Sequence, residues 1–225
     1  PCLANPHKYW MCGVLLMARS DVKGRGFVMK NMFVGLLLIF LDITLNISLG
    51  WQGTLDILPD FVGYILILRG AGEMAEVSPS FAKINPAVWA ATAVSAISFL
   101  LNLFGLSAAL LSDGLPAQIL QTAILLAEEI LLFWVTWQMA SGIRDMEYHY
   151  GTWMNAEDVT VAWKLMVGIY AAGFVFSRLA VLLMAPLNLV ATLFLILLVI
   201  GNVAVNIFFL VQFYKAKKAY DMLPG

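Results

Sequence analysis

The chain is poor in the residues that most chemistry needs. Only 12% of its 225 residues are charged and only two are histidine, whereas a soluble domain is about a quarter charged. The two cysteines, Cys2 and Cys12, both stand near the start, which excludes a disulfide framework or a cysteine metal cluster in the rest of the chain. His7 and His149 belong to no ligand-spaced motif, so no metal and no cofactor are expected. The formal charge of −1 offers no basic surface, and nucleic acid is excluded as a partner. The apolar stretches hold no Ser–His pair and no His-Glu-x-x-His, and the chain has no phosphate-binding loop of the Walker type. No enzymatic activity is expected.

Apolar residues, in contrast, are abundant. They make up 62% of the chain, and the mean hydropathy is +0.88. A water-soluble chain of this length cannot bury so much apolar surface and still cover itself with polar groups. The expected class is therefore all-α: a polytopic membrane protein whose principal partner is the lipid bilayer.

A spanning helix needs about 20 mostly apolar residues. Six stretches qualify: Met32–Leu49, Leu55–Ala71, Val88–Leu106, Gln118–Ala140, Val159–Met184 and Leu187–Phe213. Asp56 is expected to cap the second, ahead of Pro59, and Asn85 the third, ahead of Pro86. Asn155, Glu157 and Asp158 mark the start of the fifth. Residues 141–158 read as the longest loop. Lys30, Arg69, Lys83, Arg144, Lys215, Lys217 and Lys218 fall in alternate connections, while Asp113 is the only charge in the others. That alternation predicts a six-helix bundle with both termini in the cytoplasm. Trp51 suits the outer boundary, and Trp89, Trp137, Trp163 and Tyr214 the inner one.

Residues 29–225 read as a single transmembrane domain. Residues 1–28 read either as a short basic cytoplasmic tail or as an untranslated leader. The second option rests on Lys23-Gly24-Arg25-Gly26, which back-translates to a purine-rich stretch of ribosome-binding type just ahead of Met29.

Ionised groups at the bilayer centre cost about 2.5–3.5 kcal/mol each, so those present are informative. Asp42 lies halfway along the first expected span, with Asn46 one helical turn on; Glu128 and Glu129 lie halfway along the fourth, and Arg178 in the outer part of the fifth. These five form the expected intramembrane polar site, with Asp56 and Asp60 at its outer mouth. The acids outnumber Arg178, which favours a retained proton on at least one, Glu128 or Glu129 foremost. Ser95, Asn102, Asn202 and Asn206 read as hydrogen-bonding glue between helices, and Gly63 and Gly70 as a close-packing face.

Two functions fit these features. In one, the protein moves or senses a small solute or ion through the buried carboxylates. In the other, it is a non-catalytic scaffold, assembly or regulatory subunit whose charges only pair helices. Asn85-Pro86-Ala87 matches the triplet of water channels, but the second triplet they need between the last two spans has no room at Ala185-Pro186.

The segment Asp56-Ile57-Leu58-Pro59-Asp60-Phe61-Val62-Gly63-Tyr64 resembles one found near the second span of small bacterial multi-pass membrane proteins with no assigned activity. The likeness covers about residues 40–75. It implies a bacterial inner-membrane location and no particular chemistry.

Overall fold

A computed structural model describes residues 29–41, 44–48, 52–56, 59–104, 115–182 and 189–223, with the backbone alone for 44–48, 52–56, 115–118, 121, 177–182 and 189–191. The helices are α1 (Met29–Phe40), α2 (Asp60–Met74), the single turn α3 (Pro79–Ala82), α4 (Ile84–Leu103), α5 (Leu115–Tyr150), α6 (Ala156–Leu182) and α7 (Leu189–Asp221). Strands β1 (Thr44–Ser48) and β2 (Gln52–Asp56) form a two-stranded antiparallel hairpin between α1 and α2.

Four stretches are long and apolar enough to cross a membrane: Pro79–Leu103, Thr122–Tyr150, Ala156–Phe176 and Thr192–Asp221. Their surfaces agree with an apolar surrounding, since only 11% of the α7 window is buried inside the protein. The first two expected spans are shorter. At 1.5 Å per residue α1 and α2 cover about 18 and 22 Å, less than the ~30 Å hydrocarbon layer.

The first span was expected to run to Leu49 as helix. It stops at Phe40, because the residues that follow alternate with period two. Asp42, Thr44, Asn46 and Ser48 are polar, while Ile43, Leu45, Ile47 and Leu49 are apolar, the pattern of a strand rather than a helix. The register respects it, pairing Thr44 with Asp56, Asn46 with Thr54 and Ser48 with Gln52, and apolar Leu45 with Leu55. Asp56 therefore ends β2, three residues before the N-cap position of α2. The N-cap of α2 is Pro59, which makes no side-chain capping bond.

Asn85 is not a cap either. Lys83 precedes α4, and Asn85 and Pro86 both lie in its first turn, where a missing N–H costs nothing. The side-chain cap stands one element earlier. Ser78 Oγ accepts from Ser80 N at the start of α3, with Pro79 in the first turn.

Residues 141–150, expected as loop, continue α5. Met139, Ile143, Met146 and Tyr150 recur at helical spacing and are buried or half-buried, so the apolar stripe carries the helix on. Gly151 (φ 59°) and Asn155 (φ 65°) then turn the chain in left-handed conformations. Glu147 closes this turn by accepting from the backbone N–H groups of Met154 and Ala156 at 3.2 and 3.0 Å. Glu157 and Asp158 occupy the first turn of α6, as expected.

Around the bundle α2 packs on α4, α4 on α5, α5 on α6 and α6 on α7. Helix α1 closes the ring. On one side the Gly35 and Gly63 backbones meet so closely that a Cβ on Gly35 would stand 2.5 Å from Gly63 O. On the other side α1 runs antiparallel to α7, with Phe33 against Tyr214 and Phe40 against Phe209 at ring-centroid distances of 5.5 and 6.1 Å. The start of α1 and the end of α7 thus share one end of the molecule, and that end carries Lys30, Lys215, Lys217 and Lys218.

The densest packing is at that same basic end. Met29, Met32, Met74, Phe81, Met139, Ile143, Met146, Met154, Met166 and Phe213 are all essentially inaccessible there. Seven of these are methionines, whose unbranched thioethers fill irregular gaps between helices of differing direction. Asp145 of α5 fastens α3 to this core, since its Oδ2 accepts from Ser78 Oγ at 2.7 Å and Ser80 Oγ at 2.6 Å.

Candidate functional site: an acidic cavity between the helices

Away from the methionine-packed end the helices separate. They leave a half-open cavity of about 340 Å³ lined from five elements: α1 (Ile39, Phe40), α2 (Asp60, Tyr64), α5 (Glu128, Glu129, Leu132), α6 (Tyr170) and α7 (Val199, Asn202, Val203, Asn206). The local folding explains each position. Helix α1 ends and α2 begins at the cavity, because the hairpin interrupts them there. Asp60 is consequently the first helical residue of α2, where a carboxylate suits the positive end of the helix dipole. Tyr64 follows one turn later and is 6% exposed.

Glu128 and Glu129 stand side by side on α5. Ser98 of α4 donates to Glu128 Oε1 at 2.7 Å, which aims this carboxylate. Opposite, Asn202 and Asn206 are one turn apart on α7. Asn206 Nδ2 donates to the Tyr170 hydroxyl at 2.9 Å, and the Tyr170 ring is braced edge-on by Phe133, 5.5 Å away. The side-chain oxygens of Asn202 and Asn206 are buried and accept no hydrogen bond. The lining is therefore rich in polar side chains: three carboxylates, two amides and two phenols. No Lys or Arg lies among the described residues of the lining. The ion pairs Arg69–Glu73 and Lys217–Asp221 lie outside it.

The structure thus brings together three of the seven expected site residues: Glu128, Glu129 and Asp60. Asn46 is in β1 opposite Thr54 and is not on a helix. Asp56 pairs with Thr44 at the end of β2. Asp42 and the Arg178 side chain lie outside the described residues. Asn202 and Asn206, read from sequence as glue, stand on the cavity wall. Tyr64 and Tyr170 were not anticipated. Their signal was position, since membrane tyrosines favour the interfaces and these two stand well inside their helices.

Chemically, such a space can hold a small positively charged guest. Among the described residues no three His, Cys, Asp or Glu side chains are grouped to hold a metal ion. No protein-family model, curated protein or solved structure matches the chain.

Proposed function

We propose that this is a multi-pass protein of the bacterial inner membrane that transports or senses a small cationic solute in its central cavity, without catalysing a reaction. One observation carries the reading: a 340 Å³ space reaches Asp60, Glu128 and Glu129 together. Carboxylates serving only to tie helices would be packed against one another with no such room. The broken first helix pair supports the same view. Interrupted helices at membrane depth are tolerated where they line a cavity, and carriers commonly place such breaks at the binding site.

The orientation follows from charge. The basic end, with Lys30, Arg69, Lys83, Arg144 and Lys215–Lys218, faces the cytoplasm by the positive-inside preference. Exposed Trp89 and Trp153 on that side suit the headgroup region. The cavity then lies toward the outer leaflet. The Ser98–Glu128 bond favours a second reading, in which Glu128 joins α4 to α5 and the protein is a scaffold.

Thiol labelling separates the two. With Cys2 and Cys12 replaced by Ser, Asn202→Cys should react with a cationic methanethiosulfonate faster than with an anionic one. Glu128→Gln/Glu129→Gln should erase the difference. A folded Asn202→Cys protein that reacts with neither reagent would refute the cavity reading in favour of the scaffold.

A further inference from the structure

The seam between α1 and α7 carries a pattern of its own, separate from the cavity. We propose that it binds an anionic phospholipid, with the phosphate between Lys30 and Lys218, Lys215 beside it, and the acyl chains running along the two helices.

Charge is the first observation. Lys30 of α1 and Lys215 and Lys218 of α7 are exposed, and none has an acidic partner among the described residues. Helix α1 holds no acid, and the one acid of α7, Asp221, is bonded to Lys217. The Phe33–Tyr214 contact brings the two sets of lysines together. Lys30 stands one turn from Phe33, and Lys218 one turn from Tyr214, both toward the same end because the helices are antiparallel. That end is not basic throughout. The connection between α5 and α6 carries Asp145, Glu147, Glu157 and Asp158 against Arg144 alone, and Arg69 is paired with Glu73. Positive charge therefore collects at the seam.

The second observation is what adjoins the lysines. On α7, Ile207, Val211, Tyr214 and Lys218 recur at i, i+4, i+7 and i+11 and form one stripe. The first three are 56%, 46% and 49% exposed. On α1, Leu41, Leu37, Val34 and Lys30 form the matching stripe, at least half-exposed throughout. Each stripe runs from apolar side chains to an amine, and Tyr214 sits between the two regimes, where membrane tyrosines prefer the interface. That is the order of a phospholipid: acyl chain, ester region, phosphate. Two neighbouring apolar stripes suit its two chains. A free phosphate would use the lysines and leave the stripes without a partner. A zwitterionic lipid would leave the positive charge uncompensated.

The test titrates the full chain, purified in a neutral detergent, with phosphatidylglycerol, phosphatidylcholine of the same chains, or inorganic phosphate at constant ionic strength. Thermal unfolding is followed by tryptophan fluorescence. Phosphatidylglycerol should raise the unfolding temperature saturably, at amounts where the other two have no effect. Lys30→Gln/Lys218→Gln should need about thirtyfold more of it for the same rise, as expected for two lysines removed from an anionic surface. Lys83→Gln/Lys164→Gln removes the same charge away from the seam and should leave the titration unchanged. All four lysines are exposed, so both variants keep the packed core. An equal rise with phosphatidylcholine would overturn the role of charge, and an equal rise with inorganic phosphate that of the acyl chains. Equal weakening by the two double variants would overturn the seam as the site, and a protein stabilised by none of the three would overturn the proposal outright. The cavity reading is decided separately, by the labelling of Asn202→Cys.

Discussion

Gly35→Ala would place a methyl group where α1 and α2 are in closest contact. The new Cβ would stand 2.5 Å from Gly63 O and 2.8 Å from Ile67 Cγ1. Carbon–oxygen contacts normally begin at about 3.3 Å, so the helices must part by most of an ångström. Ile67 can change rotamer, but the Gly63 carbonyl belongs to the helix ladder and cannot turn aside. Overpacking of this kind costs about 1–3 kcal/mol. Alanine recovers about 1 kcal/mol of that through its better helix propensity. Because the obstacle is backbone, the cost should lie high in its range, leaving a net loss of about 1–2 kcal/mol. Gly72→Ala in α2 is the matched control. Nothing lies within 4 Å of its new Cβ, so only the propensity gain remains. Reversible unfolding in mixed SDS micelles, read by far-UV circular dichroism, should rank Gly35→Ala below the native protein and Gly72→Ala at or above it. Gly63→Ala should resemble Gly35→Ala, its Cβ meeting Gly35 O at 2.7 Å. The double variant should lose less than the sum, because the same two backbones are separated once. Equal stability of Gly35→Ala and Gly72→Ala would refute the close crossing.

Other changes probe other parts of the molecule. Asp145→Ala strands the hydroxyls of Ser78 and Ser80 and should cost about 1–3 kcal/mol, measured by the same unfolding, with Asp145→Asn in between. Glu147→Ala removes the acceptor of two N–H groups at the start of α6; a loss of about 1–2 kcal/mol should appear together with faster hydrogen exchange at Ala156. Asn155→Ala combines a strained φ of 65° with loss of the Gln212 bond and should destabilise more than Asn155→Gly, which keeps the turn and loses only the bond. A fluorescent-protein fusion after Gly225 should light up in bacteria and an alkaline phosphatase fusion there should stay inactive, because the proposed orientation puts the basic end inside; the reverse pattern would invert that orientation.

Much of the architecture was legible because lipid imposes a simple rule. Every long apolar run must hold its own backbone bonds, so α4 to α7 appear in the sequence as unbroken stretches. The first two spans were misjudged for a physical reason. Residues 44–48 are apolar enough to continue a helix in composition, but their alternation selects a strand. Composition was weighed there, and period decided. The extension of α5 past Ala140 was hidden in the opposite way, since charged residues such as Arg144, Asp145 and Glu147 mask the buried stripe of Ile143 and Met146. In the cavity, Glu128, Glu129 and Asp60 were legible because carboxylates in oily helices are costly. The roles of Asn202, Asn206, Tyr64 and Tyr170 were not. An amide or a phenol in a helix serves packing and binding equally well, and only the tertiary arrangement of five elements shows which of them border empty space.

Most hydrogen bonds that fasten the turn between α5 and α6 come from the two helices themselves. Glu147 reaches Met154 and Ala156, seven and nine residues away, and Arg144 donates to Thr160 Oγ1 at 2.9 Å. Two helices emerging from a ribosome can therefore zip together while α7 is still being synthesised. Only then does Gln212 arrive to take the Asn155 amide, 57 positions downstream. The final helix is recruited to a template already set, and a truncated nascent chain ending near Leu182 should already protect the Ala156 amide from exchange.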